Sequence, residues 1–330
     1  MFAVSVRRFR SEALLVVAAL CAVGLLAFVT GTRMNSVYHD SGLAGCLSLG
    51  RRSDCQPLID GFGDRFQSLQ ILIIPLVLLP ALLGAFIGAP LVAREVEAGT
   101  HRFLWTQGVT RRRWFTTSSA VAAALAVIAG ALYVLIAAAW LDTTNRVTDE
   151  RFSTLYDFQG IIPIAASVFA VCVGIACGAA FRRTLPAMVA TVGIFIAVRV
   201  GTAMIVRPRL ATPLTLDVAY SRSDPLAGSG AWELSNRTID AAGVVIGRDG
   251  SLDLTGMAGR CPGISATPGD QLPDFSVVER CLVDLDVRTL IRYQPGDRFW
   301  TFQIIESAVL LGLALVSLAI ANTALNRRAT

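Results

Sequence analysis

"GIIPIAASVFAVCVGIACGAAFRRTLPAMVATVGIFIAVRVGTAMIV", residues 160–206, contains two apolar runs separated only by Arg182, Arg183 and Thr184. A helix needs about twenty residues to cross the roughly 30 Å of bilayer hydrocarbon. Each run meets that length, so the stretch reads as a tight hairpin of two membrane-spanning helices. Four further runs of the same kind lie near 11–31, 69–93, 115–141 and 301–325. Together with 160–181 and 185–206 they make six spans. The fold class that follows is an all-α polytopic membrane protein, with a mixed extracytoplasmic domain between the fifth and sixth transmembrane helices.

Composition agrees. The chain has 330 residues, 54% of them hydrophobic and only 16% charged; soluble domains average about 25% charged. An even number of spans puts both termini on one side, and arginine bias identifies that side. The first twelve residues, 94–114, 182–184 and the C-terminus hold twelve arginines and three glutamates, a net of +9. The segments 32–68, 142–159 and 207–300 hold sixteen arginines and twenty acids, a net of −4. The first set is expected to be cytoplasmic. Trp105 and Trp114 fall at inner span ends and Trp140 and Trp300 at outer ones, where interfacial aromatics belong. The first span has the basic flank of a signal peptide, but "LAGC" at 43–46 lies well past its apolar run, so an uncleaved helix is expected.

The segments divide into an N-terminal interface segment (1–10), five helices within 11–206 with an inner loop at 94–114, an outer domain at 207–300, and the last helix and tail at 301–330. The outer domain is rich in Gly, Pro, Asp and Ser. Within it, "GVVIGRDGSLDL" (243–254) alternates about a DG turn and reads as a β-hairpin; loops and short helices are expected for the remainder. Cys46, Cys55, Cys261 and Cys281 all lie in outer segments. Three pairings are open to them, and the local ones, Cys46–Cys55 and Cys261–Cys281, are the expected disulfides. Cys21, Cys172 and Cys177 lie within spans and act as small apolar residues.

Catalytic constellations are missing from the sequence. The two histidines, His39 and His101, are assigned to opposite sides, and no HExxH, CxxC or GxSxG motif occurs. The chain contains no lysine, so it cannot carry a Walker A loop, whose lysine reaches the phosphates. If ATP drives this protein, a partner binds it.

Two charges inside spans stand out. Arg199 in the fifth and Glu306 in the sixth sit roughly 8–11 Å below the outer surface at about 1.5 Å per residue. Ionisable groups at that depth face partners or wet cavities. The two are expected to pair across neighbouring helices, either locking the bundle or lining a substrate path. The second span, "IPLVLLPALLGAFIGAPL", carries Pro75, Pro80, Pro90, Gly84 and Gly88. Proline kinks a helix and glycine allows close helix approach, so this span is either a packed kinked helix or one that moves. After it, "AREVEAGT" can prolong the helix by two turns, and Thr110 can cap the third span. Glu95 and Glu97 add negative charge where positive charge sets topology.

With these stretches in hand, the chain resembles the permease subunits of ABC-2 type exporters, particularly the actinobacterial group. The resemblance rests on "VRRFRSEALL", "GAPLVAREVEAGTHRFLWTQGVTRRRWF" and "RYQPGDRFWTFQIIE" with the six-span layout, and it covers essentially the whole chain, with 207–300 the least matched part. It implies a multi-pass protein of a bacterial plasma membrane, surrounded by membrane lipid, paired with a second permease chain (identical or a close paralogue) and with two cytoplasmic ABC ATPase subunits. ATP and Mg would be bound by those partners and no cofactor or nucleic acid by this chain. It also implies a coupling helix over residues 95–107, with Glu95, Glu97, His101, Arg102, Phe103 and Gln107 as ATPase contacts, and an amphipathic interface helix over residues 1–10. The substrate expected is amphipathic or lipid-like. The other reading is a non-transporting membrane sensor or assembly protein that binds a ligand through residues 207–300.

Overall fold

The computed structural model describes residues 10–49, 52–66, 73–97, 110–148, 152, 155–221, 224–249, 251–252 and 275–327. The chain divides into two compact units: residues 1–207 with 300–330, and residues 208–299.

The first unit is a bundle of helices. Its members are α1 (Arg10–Asp40), the short α2 (Leu43–Ser48) and α3 (Gln56–Phe66), α4 (Ile73–Leu83) and α5 (Ala89–Glu97), α6 (Arg111–Thr148), α7 (Ile162–Phe181), α8 (Thr184–Gly201) and α10 (Phe299–Arg327). Among the described residues, six helical stretches are long and apolar enough to cross a membrane: Val16–Asp40, Val77–Glu97, Arg112–Thr148, Ile162–Phe181, Thr184–Arg209 and Gly296–Leu325. Several run past the bounds expected from hydropathy. α1 continues through "RMNSVYHD" and α6 through "DTTNRVT", because neither extension holds the Pro or Gly that would end a helix once started.

α7 is the core of the bundle, with α6, α8 and the α4–α5 stretch all packed on it. It is apolar on every side and 72% of its window is buried, against 6% for α1, which lies mainly along α6. Between α4 and α5 the helix widens into a π turn, Gly84–Gly88. Here two glycines meet two of α7. A Cβ on Gly84 would fall on the Ala170 carbonyl, one on Gly88 on the Val171 carbonyl, and one on Gly174 on the Gly84 carbonyl. At Gly178 it would lie 2.5 Å from the Ala89 oxygen. No residue but glycine lets two backbones come this close. Pro80 sits inside α4, and the wide turn follows one turn later.

A disulfide joins Cys46 of α2 to the buried Cys55, which packs in the core of the bundle. The Trp140 indole N–H donates to Thr30 Oγ1 at 2.9 Å, fastening α6 to α1. The Arg113 N–H donates to Thr110 Oγ1 at 3.3 Å, capping α6.

The second unit holds a five-stranded antiparallel sheet in the order β1-β5-β2-β3-β4. The strands are β1 (Leu214–Ala219), β2 (Trp232–Ile239), β3 (Val245–Arg248), β4 (Ser251–Leu252) and β5 (Arg288–Gln294), with α9 (Phe275–Asp284) between β4 and β5. The expected hairpin is β3–β4, with Asp249 at φ 52° in its turn. Elsewhere in the segment the expected short helix occurs as α9, but β1, β2 and β5 stand where only loops and short helices were expected. β5 returns to pair with both β1 and β2, as in Leu214↔Tyr293 and Trp232↔Gln294. Ile246, Cys281, Leu282 and Val287 make its small core. Cys261, the other half of the second expected disulfide, lies outside the described residues.

Candidate functional site

The bundle buries a cluster of four charges. Arg199 lies near the end of α8 and Arg207 just beyond it. In a regular α-helix eight residues turn the chain about 80° past whole turns, which would aim the two side chains differently. The helix instead passes through a second π turn, Thr202–Val206. Its extra residue per turn rotates Arg207 back toward the face of Arg199, and the Thr202 hydroxyl donates to the Arg199 carbonyl at 2.9 Å inside the transition.

Both guanidiniums reach the same two carboxylates. Arg199 donates to Glu306 Oε1 and to Asp157 Oδ1, each at 2.6 Å. Arg207 donates to Glu306 Oε2 at 3.0 Å and Oε1 at 3.1 Å, and also to Asp157 Oδ1. The Glu306 side chain is 1% exposed and that of Asp157 30%. The cluster is charge-balanced, which a buried set of this kind requires, because an uncompensated charge in this environment is expensive.

A polar frame holds the turn that carries Asp157. Gln303, one turn before Glu306 on α10, accepts at Oε1 from the N–H groups of Ile161 and Ile162, both at 3.1 Å. These are donors at the start of α7 for which the helix itself offers no acceptor. The Gln303 amide donates to the Tyr156 carbonyl at 3.2 Å. Gly160 at φ 68° makes room for it, since a Cβ there would lie 2.6 Å from Gln303 Oε1. Gln159 and Asn145 exchange two amide hydrogen bonds at 3.0 and 3.1 Å, tying the turn to α6. The Arg207 guanidinium stacks over the Tyr156 ring at 4.1 Å, a cation–π contact.

Arg199 and Glu306 are thus in direct contact. Asp157 and Arg207 complete the site and escaped the sequence reading, which assigned both to solvated outer segments. The missing signal was the π turn, which has no sequence signature comparable to a charge inside an apolar run.

At the arginine-rich end of the bundle, α5 extends to Glu97. Glu97 Oε2 accepts from the Thr184 backbone N–H at 3.1 Å and from its hydroxyl at 2.8 Å. Arg182 in the left-handed region (φ 57°) ends α7, its N–H donating to the Gly178 carbonyl at 3.1 Å. Glu95 is 8% exposed and already engaged within the chain. His101, Arg102, Phe103 and Gln107 lie outside the described residues. Among the described residues, no three His, Cys, Asp or Glu side chains gather as a metal site.

The family described as ABC-2 membrane transporter related matches residues 16–207, more than half of the chain. The chain belongs to this family. The matched stretch of this ABC-2 membrane protein ends at Arg207, where the first part of the bundle unit ends. Family and six apolar helices together make it a multi-pass transporter permease, a class that associates with a membrane and implies a partner ATPase. No curated protein and no solved structure matches the chain.

Proposed function

We propose that this chain is the permease subunit of an ATP-driven ABC-2 exporter. It sits in a bacterial plasma membrane with both termini in the cytoplasm. Hydrolysis takes place in a separate ATPase that binds ATP and Mg, and the permease acts with a second permease chain, identical or closely related. Its cargo is an amphipathic or lipid-like molecule. The observation that carries the reading is the family match over residues 16–207. The geometry of the arginine-rich end supports coupling. The segment 98–109 follows directly on α5, and Glu97 fastens the end of α5 to the start of α8. A push on that segment would therefore reach the α7–α8 hairpin as well as α5, whose backbone is in contact with α7.

The test is a pull-down of the tagged chain from its native membrane in mild detergent, with ATPase activity measured on the eluate. A co-purifying Walker A protein with vanadate-sensitive hydrolysis supports the permease reading. A chain that elutes alone and inactive, even after crosslinking, overturns it in favour of a membrane sensor.

A further inference from the structure

We propose that Arg199 and Arg207 form the headgroup site for an anionic amphiphile, and that Asp157 holds, in this conformation, the place that a phosphate or carboxylate headgroup takes. The proposal rests on the permease reading and gives its cargo a chemical class.

Three observations carry it. First, the cluster is rich in donors. Each guanidinium has five N–H groups, yet the two together make five bonds to the carboxylates. Half of their donors are left over by the cluster. Both arginines bond the same single oxygen of Asp157, Oδ1, and among the described residues none bonds Oδ2. A phosphate offers more acceptor oxygens than this one shared atom, and arginine matches phosphate and carboxylate bidentately.

Second, the two carboxylates differ in how they are held. Glu306 lies on the long α10 with its side chain 1% exposed and takes three of the five bonds. Asp157 lies on a short 3-10 turn, Tyr156–Phe158, and is the more exposed of the two. Glu306 neutralises one guanidinium permanently. Asp157 neutralises the other in a position that an incoming anion can contest.

Third, the site opens onto apolar walls. A cleft beside Asp157 and Arg199 is lined by Val77, Pro80, Tyr133 and Phe195. It is closed to a hydrocarbon chain here, admitting little more than a water. Its Pro80 wall belongs to α4, next to the Gly84–Gly88 π turn. A shift of α4 at that turn would widen the cleft beside Arg199 and Asp157. A charged head between two arginines and a tail against Pro80 and Phe195 describes an anionic amphiphile.

The test uses the full chain in neutral-lipid nanodiscs, titrated with a chain-labelled long-chain alkyl phosphate, the matching alkanol and inorganic phosphate, with empty nanodiscs subtracted. The alkyl phosphate is expected to bind saturably and to raise the unfolding temperature of the unaltered protein, while the alkanol does neither. Asp157→Asn is expected to bind alkyl phosphate about tenfold more tightly, and Arg207→Gln at least tenfold more weakly. Asp157→Ser serves the same arm if Asp157→Asn does not fold. Equal binding of the alkanol, or no gain on neutralising Asp157, overturns the proposal. Binding of inorganic phosphate as tight as that of the alkyl phosphate also overturns it, since the ligand would then be a free anion. None of these readouts involves an ATPase, so a failure here leaves the permease reading standing, and loss of the ATPase partner leaves a positive binding result standing.

Discussion

One carboxylate oxygen of Glu97 accepts both the backbone N–H and the hydroxyl of Thr184, at 3.1 and 2.8 Å, across eighty-seven residues of sequence. The bond joins the end of α5 to the start of α8, where free N–H groups favour a negative partner. Glu97→Ala is expected to speed amide hydrogen exchange several-fold at Thr184, Leu185 and Ala187. Glu97→Gln, which keeps an acceptor oxygen, should restore most of the protection. Unchanged exchange in the alanine variant would mean that the contact does not hold in the membrane.

The buried cluster sets a second expectation. Glu306→Ala leaves two arginines facing one carboxylate, and breaking a buried pair from one side costs about 3–5 kcal/mol. Arg199→Ala should cost a similar amount. The double variant should fall short of the sum by about 0.5–3 kcal/mol, as for groups in one network. Thermal unfolding of the solubilised chain measures all three, and strictly additive losses would show that the groups do not interact.

Glycine at the α5–α7 contact makes a third. In Gly174→Ala the new methyl meets the Gly84 carbonyl and lies 2.8 Å from the Ala89 nitrogen, both backbone atoms that cannot swing aside. Overpacking of this kind costs about 1–3 kcal/mol. Gly312→Ala on α10, with nothing within 4 Å of the added carbon, should leave the melting temperature unchanged or raise it.

The sheet unit should respond to pH through Glu233. Burial first, and then the nearby Asp224 charge, push its carboxyl above the usual carboxylate value. The folded state therefore holds this proton more tightly than the unfolded chain does. The stability it contributes is complete below the unfolded carboxylate value and is lost as pH rises through the folded one. Glu233→Gln should unfold at a higher temperature relative to the unaltered protein at pH 7 than at pH 4. A gap that is constant with pH would contradict the assignment.

Particular residues show how far the sequence could be read. The six spans were legible because apolar length alone reports a bilayer crossing. Their ends were not, since α1 and α6 continue into polar sequence until something stops them. Arg199 and Glu306 were visible as charges inside apolar runs. Asp157 and Arg207 were not, because beside a span end a charge is ordinary, and only the turn at 156–158 and the widened helix at 202–206 direct them inward. In the sheet, the β3–β4 hairpin declared itself through a local turn. The pairing of β5 with β1 spans more than seventy residues (Leu214↔Tyr293), and no local pattern announces so distant a partner.

The widened turn at Thr202–Val206 also makes the charge cluster depend on chain length as well as on chemistry. Inserting a single uncharged residue there would carry Arg207 about 100° further around the helix and away from Arg199, with every ionisable group still present, whereas deleting one leaves the two arginines seven apart, about 20° short of two turns of ordinary helix. Such an insertion should do more harm than many substitutions at the same positions. The feature that decides whether four charges meet is a count of residues, invisible to any inventory of the charges themselves.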